Sequence, residues 1–125
     1  MEINTRIDRA KKLRLQVVTG VIDVPELIQK LSELYHSPDY APGMNVLWDM
    51  SQADFSRVTS EQIQSLMMMV KNAWGKEEGV KAALVATGDL DFGLTRMYEL
   101  SLGAATSRDI VVFKNIADAE KWLAE

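Results

Sequence analysis

Hydroxyl and carboxyl side chains, the groups that could carry chemistry or contact a partner, concentrate in one stretch of this sequence. The stretch comprises Asp49 and the polar segment of residues 50–59 that follows it. It separates an apolar run from a helical pattern, which predicts a loop, and loops often hold binding residues. We predict that this loop contacts a partner. Its predicted contact residues are Asp49, Ser51, Ser56 and Arg57.

Ser60 and Thr59 lie where the sequence predicts the start of a helix. Thr59 and Gln62 have the spacing of a capping box. A phosphate on Ser60 would lie at a helix N-terminus, where backbone N–H groups and the helix dipole favour an anion. Arg57 could reach that phosphate, whereas Glu61 would oppose it. Two interpretations stay open, a helix cap alone or a phosphorylation switch at Ser60 or Thr59.

Elsewhere the sequence lacks the spacings of a catalytic or metal-binding site. His36 is the single histidine, and no serine or acid stands at a recognisable triad spacing from it. Asp89 and Asp91 offer two carboxylates, whereas calcium takes roughly six to eight oxygen ligands, so a turn and helix cap are favoured there. The sequence has no cysteine, phosphate-binding glycine loop or nucleophile elbow. We predict a protein that is not an enzyme and has no metal site and no cofactor.

Three consecutive methionines, residues 67–69, are the most unusual local feature. They lie on a predicted helix, and three successive side chains cannot all face the core. Methionine surfaces adapt to varied apolar partners. The interpretations are a broad core face, a dimer face, or an apolar ligand pocket. The candidate residues for that patch or pocket are Met67, Met68, Met69, Trp74 and Tyr98.

Arg96 stands three residues before Glu99 in a later predicted helix. A surface ion pair at that spacing contributes at most about 0.5 kcal/mol. The other interpretation is that Arg96 contacts an anionic group of a partner or ligand. Both interpretations stay open.

Strands and helices that alternate along the chain must position these residues. Residues 2–7 and 12–17 alternate apolar and polar side chains, which predicts an antiparallel hairpin of strands that each have one wet face. Arg14 and Gln16 fall on the polar side of the second strand, and Gly20 is predicted to end it.

Apolar runs without alternation predict buried strands at residues 46–48, 82–86 and 110–113. Helical spacing predicts a helix capped by Asp23, a helix over residues 60–74, a helix over about 92–105, and a last helix capped by Asn115. The order is β-β-α-β-α-β-α-β-α, which predicts a single α/β domain over residues 1–125. Its sheet is expected to have about five strands and to be mostly parallel, with an antiparallel first strand.

Composition narrows the classes of partner. The net charge is −4 and the pI is about 5.0, which argues against nucleic acid because phosphate binding requires a basic face. A membrane helix needs about 20 predominantly apolar residues, and no apolar run in the sequence approaches that length, so no membrane span is predicted. The first residues lack the pattern of a secretion signal. These features, and the lack of cysteine, favour the cytoplasm.

The order of elements and several landmarks resemble the STAS-like fold, named after sulfate transporters and anti-sigma-factor antagonists. The landmarks are Gly20, the pair Trp48-Asp49, the string of residues 92–99, and Val112-Phe113 leading into a helix with Trp122-Leu123. The sequence is similar to bacterial STAS-like proteins of unknown function related to those antagonists. The resemblance covers nearly the whole chain.

This resemblance implies a function in regulation. In anti-sigma-factor antagonists, a partner kinase phosphorylates a serine in an Asp-Ser-Ser-Gly-like motif that opens the helix after the third strand. Residues 59–62 correspond to that motif, and Ser60 falls near the modified position without the flanking Asp and Gly. CRAL-TRIO lipid-binding domains are considered relatives of the same fold, which implies an apolar ligand pocket as an alternative.

We therefore expect a non-catalytic protein-interaction or regulatory module of the STAS-like type. Its partner is expected to be another protein, a second copy of the chain in a homodimer, or both. The alternative function is binding or carriage of an apolar, lipid-like small molecule in a pocket between the sheet and the helices.

Overall fold

The computed structural model describes residues 1–38, 43–74, 80–87 and 109–125. The strands in these ranges are β1 (Glu2–Asp8), β2 (Leu13–Val21), β3 (Asn45–Asp54), β4 (Lys81–Val85) and β5 (Asp109–Phe113). The helices are α1 (Val24–Tyr35), α2 (Ser60–Trp74) and α3 (Ile116–Leu123). The helix predicted over about residues 92–105 lies outside the described residues.

The five strands form one sheet in the order β1-β2-β3-β4-β5. Strand β1 pairs with β2 in antiparallel orientation, from Glu2 opposite Thr19 to Asp8 opposite Leu13. The other three pairs are parallel. Parallel neighbours need long crossover connections, and α1 and α2 lie in two of them. The predicted α/β architecture, with an antiparallel first strand, is confirmed.

Two apolar clusters cover the two faces of the sheet. The first, which we call the α1–α2 face, joins α1 and α2 to residues such as Val46 and Trp48 of β3. The second, the α3 face, joins Leu47 of β3 and Val85 of β4 to Ala119 of α3. Consecutive residues of β3 therefore enter opposite clusters, as expected for a strand that is covered on both sides.

The wet face predicted for β2 is wrong. Arg14 is 3% exposed and Gln16 is fully buried, and both lie on the α1–α2 face. The Arg14 guanidinium carbon lies 6.0 Å from the centroid of the Tyr35 ring. The alternation correctly predicts a strand. However, β2 is an inner strand of the sheet, and its leucines line the α3 face. Periodicity alone does not state which side of a strand a helix will cover.

Strand β3 is longer than the sequence predicts. The predicted loop over residues 50–59 begins as strand, because β3 continues to Asp54 and pairs there with Val21 of β2. Strand β2 likewise continues through Gly20, whose φ of +86° suits glycine, and ends one residue later. Polar residues are typical of loops, but here they belong to a strand that pairs with β2. The remaining turn spans residues 55–59, and Phe55 and Val58 within it are buried.

Each helix in the described ranges begins at a cap that the sequence predicted. The side chains of Asp23 and Asn115 accept hydrogen bonds from the backbone N–H groups of the third residues after them. Helix α3 is also held at its other end, where Lys81 Nζ donates to the carbonyl of Trp122 at 3.2 Å and lies 5.1 Å from its ring centroid. Satisfying these terminal groups fixes where each helix begins and ends.

Candidate functional site

Polar side chains in the second half of β3 meet the carboxyl end of β4 and form a rim at one edge of the sheet. The Oδ1 atom of Asp49 accepts hydrogen bonds from the Ser51 backbone N–H at 3.1 Å and from the Ser51 hydroxyl at 2.6 Å. The Thr87 hydroxyl, just beyond β4, donates to the Ser51 carbonyl at 3.3 Å. Ligand sites of parallel sheets lie beyond this edge, so the fold places these side chains where binding sites occur.

A β-bulge in β3 gives this rim its shape. Val17 of β2 pairs with Asp49 and Thr19 pairs with Gln52, so Met50 and Ser51 together oppose one residue of β2. Because side chains alternate along a strand, the extra residue reverses which face later side chains reach. The bulge therefore keeps Asp49 and Ser51 in contact at the rim and returns the following apolar residues to the core.

The turn after β3 repeats the same local arrangement. The Oδ1 atom of Asp54 accepts a hydrogen bond from the Ser56 backbone N–H at 2.8 Å. That backbone bond, then the Ser56 hydroxyl and the charge of Arg57, lower the pKa of Asp54 from its ordinary value. Asp54 was missed as a site residue from the sequence. The signal was the spacing Asp-x-Ser, which occurs at Asp49 and again here and is typical of turns closed by an aspartate side chain.

The start of α2 is held by a reciprocal capping box. The Gln62 backbone N–H donates to the Thr59 hydroxyl at 3.2 Å, and the Thr59 backbone N–H donates to Gln62 Oε1 at 3.2 Å. The predicted capping box is confirmed. Ser60 and Glu61 are exposed in the first turn that follows. Because the Thr59 hydroxyl already accepts a backbone bond, Ser60 is the more available of the two predicted modification positions.

Comparison with solved structures gives a match over nearly the whole chain. An uncharacterized protein of the DUF3478 family from Shewanella loihica PV-4, described as having a SpoIIAA-like fold, matches with a TM-score of 0.59. The chain has a SpoIIAA-like fold. The two sequences are 18% identical, and the match covers 98% of this chain and 92% of that chain. It confirms the STAS-like fold expected from the sequence, and at this identity it shows the fold alone.

Comparisons at the level of sequence add no relative. No protein-family model matches the chain. A search of curated proteins finds no match either.

The structure divides the four predicted loop residues into two pairs. Asp49 and Ser51 contact each other directly, whereas Ser56 and Arg57 lie exposed in the next turn, beside Asp54. The residues predicted as one loop thus form two adjoining parts, a strand end and a turn. Arg96 and Tyr98 lie outside the described residues, so their predicted roles stay predictions.

The methionines of α2 point in different directions. Met68 is 62% exposed, whereas Met69 is partly buried and packs against the α1–α2 face. The prediction that the three methionines cannot all face inward is confirmed by this pair. The side chains of Met67 and Trp74 lie outside the described part of the structure, and the apolar pocket stays a prediction.

His36 caps the C-terminal end of α1. Its Nδ1 atom lies 2.8 Å from the Ser32 carbonyl, and its backbone N–H donates to the same carbonyl at 3.2 Å. The residue is exposed at the C-terminal end of the helix. Within the described ranges, no cluster of three or more histidine, cysteine or acidic side chains could hold a metal ion. None of the helices in those ranges combines the length and the hydropathy that a membrane crossing requires.

Proposed function

We propose that this chain is a non-catalytic regulatory module of the bacterial cytoplasm that binds another protein. Its contact surface would combine the turn of residues 55–59 with the exposed side of α2. We call the exposed side of α2 the α2 stripe and define it by Glu61, Gln64, Ser65 and Met68. The observation that carries the proposal is the 62% exposure of Met68 at the end of that stripe.

The α2 stripe has the geometry of a helix that docks onto a partner. Its residues repeat at intervals of three and four, so they lie along one side of the helix. Met68 stands about 12 Å along the helix axis from Ser60, given the rise of about 1.5 Å per residue. Covering its exposed part would contribute about 1–2 kcal/mol, and methionine adapts well to an apolar groove. The polar members would supply hydrogen bonds that orient the partner.

The hydrogen bonds at the rim support the proposal that this surface binds a partner. Asp49, Asp54 and Thr59 each accept a bond from a backbone N–H of their own chain. Those bonds fix the backbone of the rim and the turn before any partner arrives. A fixed surface loses little conformational freedom on binding, which favours affinity. Ser56 and Arg57 are exposed on this support, and in this proposal they contact the partner.

A single charge substitution tests the proposal. Met68→Glu would place a carboxylate in the apolar contact, and Gln29→Glu adds the same charge on the exposed side of α1 as a matched control. Affinity capture from the native host, quantified by mass spectrometry, would compare both variants with the unmodified chain. We expect one protein to be captured by the unmodified chain and by Gln29→Glu and to be lost with Met68→Glu. Equal capture by all three would contradict the proposal.

We further propose that phosphorylation of Ser60 controls this binding. Ser60 is exposed in the first turn of α2, where backbone N–H groups and the helix dipole favour a phosphate, and Arg57 precedes it by three residues. A phosphate there would change the charge at the junction between the turn and the α2 stripe. Intact mass of protein purified from the native host across growth conditions tests the modification, with Ser60→Ala as the control. If the protein lacked phosphate under all growth conditions, that result would contradict the phosphorylation switch but not the binding proposal.

A further inference from the structure

Strand β1 lies at an outer edge of the sheet, and its pairing is complete on one side. It pairs with β2 over all seven of its residues without a register shift. Within the described ranges it has no strand on its other side. The N–H and C=O groups that point outward from such a strand can pair with a further strand. Met1 packs against the α1–α2 face, so the beginning of this edge is held in place.

The side chains of β1 divide cleanly between the two faces of the sheet. Ile3, Thr5 and Ile7 pair with Val18, Gln16 and Arg14 of β2, and therefore lie on the α1–α2 face. Glu2, Asn4 and Arg6 lie on the opposite face, and all three are exposed. A second copy of the chain can extend the sheet if each of its two faces continues the corresponding face of the first copy. A two-fold axis perpendicular to the sheet satisfies this condition.

The two-fold axis restricts the register between the β1 strands of the two copies. Directly opposed residues must belong to the same face, so the axis must pass through a residue and not between two residues. An axis at Thr5 would oppose Glu2 with Asp8 of the second copy, which puts two like-charged pairs at the ends of the strand. An axis at Arg6 would oppose two guanidinium groups at the centre. Like charges directly opposed across strands are destabilising.

An axis at Asn4 gives complementary neighbours. In this register Glu2 lies opposite Arg6 of the second copy, and the two-fold symmetry produces this pair twice. On the other face it opposes Met1 with Ile7, and Ile3 with Thr5. Met1, Ile3 and Ile7 are each partly exposed in the single chain and would cover one another. Opposite charges and apolar residues are thus matched on their respective faces.

We propose that two copies of this chain associate through antiparallel pairing of their β1 strands about a two-fold axis at Asn4. The result is one continuous sheet that spans both copies. The association does not use the α2 stripe, so it is independent of the function proposed above.

Charge reversal tests the register. Glu2→Arg or Arg6→Glu would each turn both attractive pairs into repulsive ones and weaken the dimer by about 10- to 100-fold. The double variant Glu2→Arg/Arg6→Glu would restore it, because the pairs re-form with their signs exchanged. Sedimentation equilibrium over micromolar to millimolar concentrations, at low and high salt, measures the dissociation constant. Met68→Glu is expected to leave that constant unchanged.

A single thiol gives a second and direct measurement. The sequence has no cysteine, so Asn4→Cys would introduce the one thiol of the chain, and the two copies of it would face each other across the axis. Directly opposed residues have Cα atoms about 4.5–5.5 Å apart, within the range that a disulfide spans. Mild oxidation is expected to link Asn4→Cys into a dimer and to leave Lys11→Cys, in the exposed hairpin turn, largely monomeric.

Three outcomes would overturn the proposal. The first is a chain that stays monomeric at every concentration. The second is a dimer that the single reversals do not weaken or the double variant does not restore. The third is oxidation that links Asn4→Cys no faster than Lys11→Cys.

Discussion

The buried amide of Gln16 leads to a quantitative prediction about stability. Gln16 is fully buried, and its Oε1 atom accepts a hydrogen bond from the Thr5 hydroxyl at 2.6 Å. Its Nε2 group has no hydrogen-bond acceptor among the residues that the structure describes. The side chain thus makes one good bond and leaves a donor unsatisfied. We expect its replacement by an apolar side chain of similar length, Gln16→Met, to stabilise the fold.

The magnitude follows from two opposing contributions. Leaving a buried amide donor unsatisfied costs about 1–3 kcal/mol, and removing it recovers that amount. Losing the bond from Thr5 costs about 0.5–1.5 kcal/mol, and because Thr5 is exposed its hydroxyl can bond to water instead. The net expectation is a gain of about 1 kcal/mol in the free energy of unfolding. For a chain of this size, that raises Tm by about 3–5 °C.

A double-mutant cycle isolates the bond between the two residues. Thr5→Val alone is expected to cost about 1–2 kcal/mol, because it also leaves the buried Oε1 atom without its donor. In the Gln16→Met background the same change is expected to cost nearly nothing. Urea unfolding of the four proteins, followed by circular dichroism, measures each free energy and their coupling. Gln29→Met, on the exposed side of α1, serves as a control and should stay within about 0.5 kcal/mol of the original chain.

Two results would refute this reasoning. If Gln16→Met lowered the stability by more than about 1 kcal/mol, the amide donor would have a partner in solution. If Thr5→Val cost the same in both backgrounds, the hydrogen bond between Thr5 and Gln16 would contribute nothing to the fold.

Three other predictions concern the cap, the turn and the core. Thr59→Ala removes the reciprocal cap of α2 and is expected to cost about 1 kcal/mol in urea unfolding, whereas Thr59→Ser should stay close to the original chain. The pKa of Asp54 is lowered in the folded chain, so its contribution to stability is present above about pH 4 and is lost as the pH falls through the folded pKa. Asp54→Asn should therefore flatten the decline in the urea midpoint below about pH 4, and an unchanged decline would count against the bond from Ser56. Leu47→Ala opens a cavity on the α3 face and is expected to cost about 2–5 kcal/mol by thermal unfolding, and a loss below about 1 kcal/mol would show that the site collapses.

The order of elements could be predicted from the sequence because its signals are local. The caps at Asp23, Thr59 and Asn115 depend on residues three positions apart, and each forms as expected. The unbroken apolar run at residues 46–48 correctly indicated a strand covered on both sides. Such patterns need no knowledge of distant contacts.

The errors arose where distant contacts decide the outcome. Alternation predicts that Arg14 and Gln16 lie on a solvent-facing side of β2, yet the cluster that includes α1 covers that side. No residue near them in sequence indicates this contact. The polar composition at the end of β3 predicts a loop, whereas its pairing with β2 makes it a strand. Part of the candidate site could therefore be placed from the sequence, but its division into a bulged strand end and a turn could not.

The bulge in β3 links the length of this part of the chain to the composition of the core. Before it, even-numbered residues such as Trp48 enter the α1–α2 face, and after it odd-numbered residues such as Ala53 and Phe55 do so. A regular strand would send Trp48 and Ala53 to opposite faces, and the one extra residue brings both to the same face. Deletion of Ser51 would remove that extra residue and leave a regular ladder, in which Ala53 still lies opposite Gly20 and stays in the core. Homologous chains that are one residue shorter here are therefore expected to have the same core and a β3 strand without the bulge.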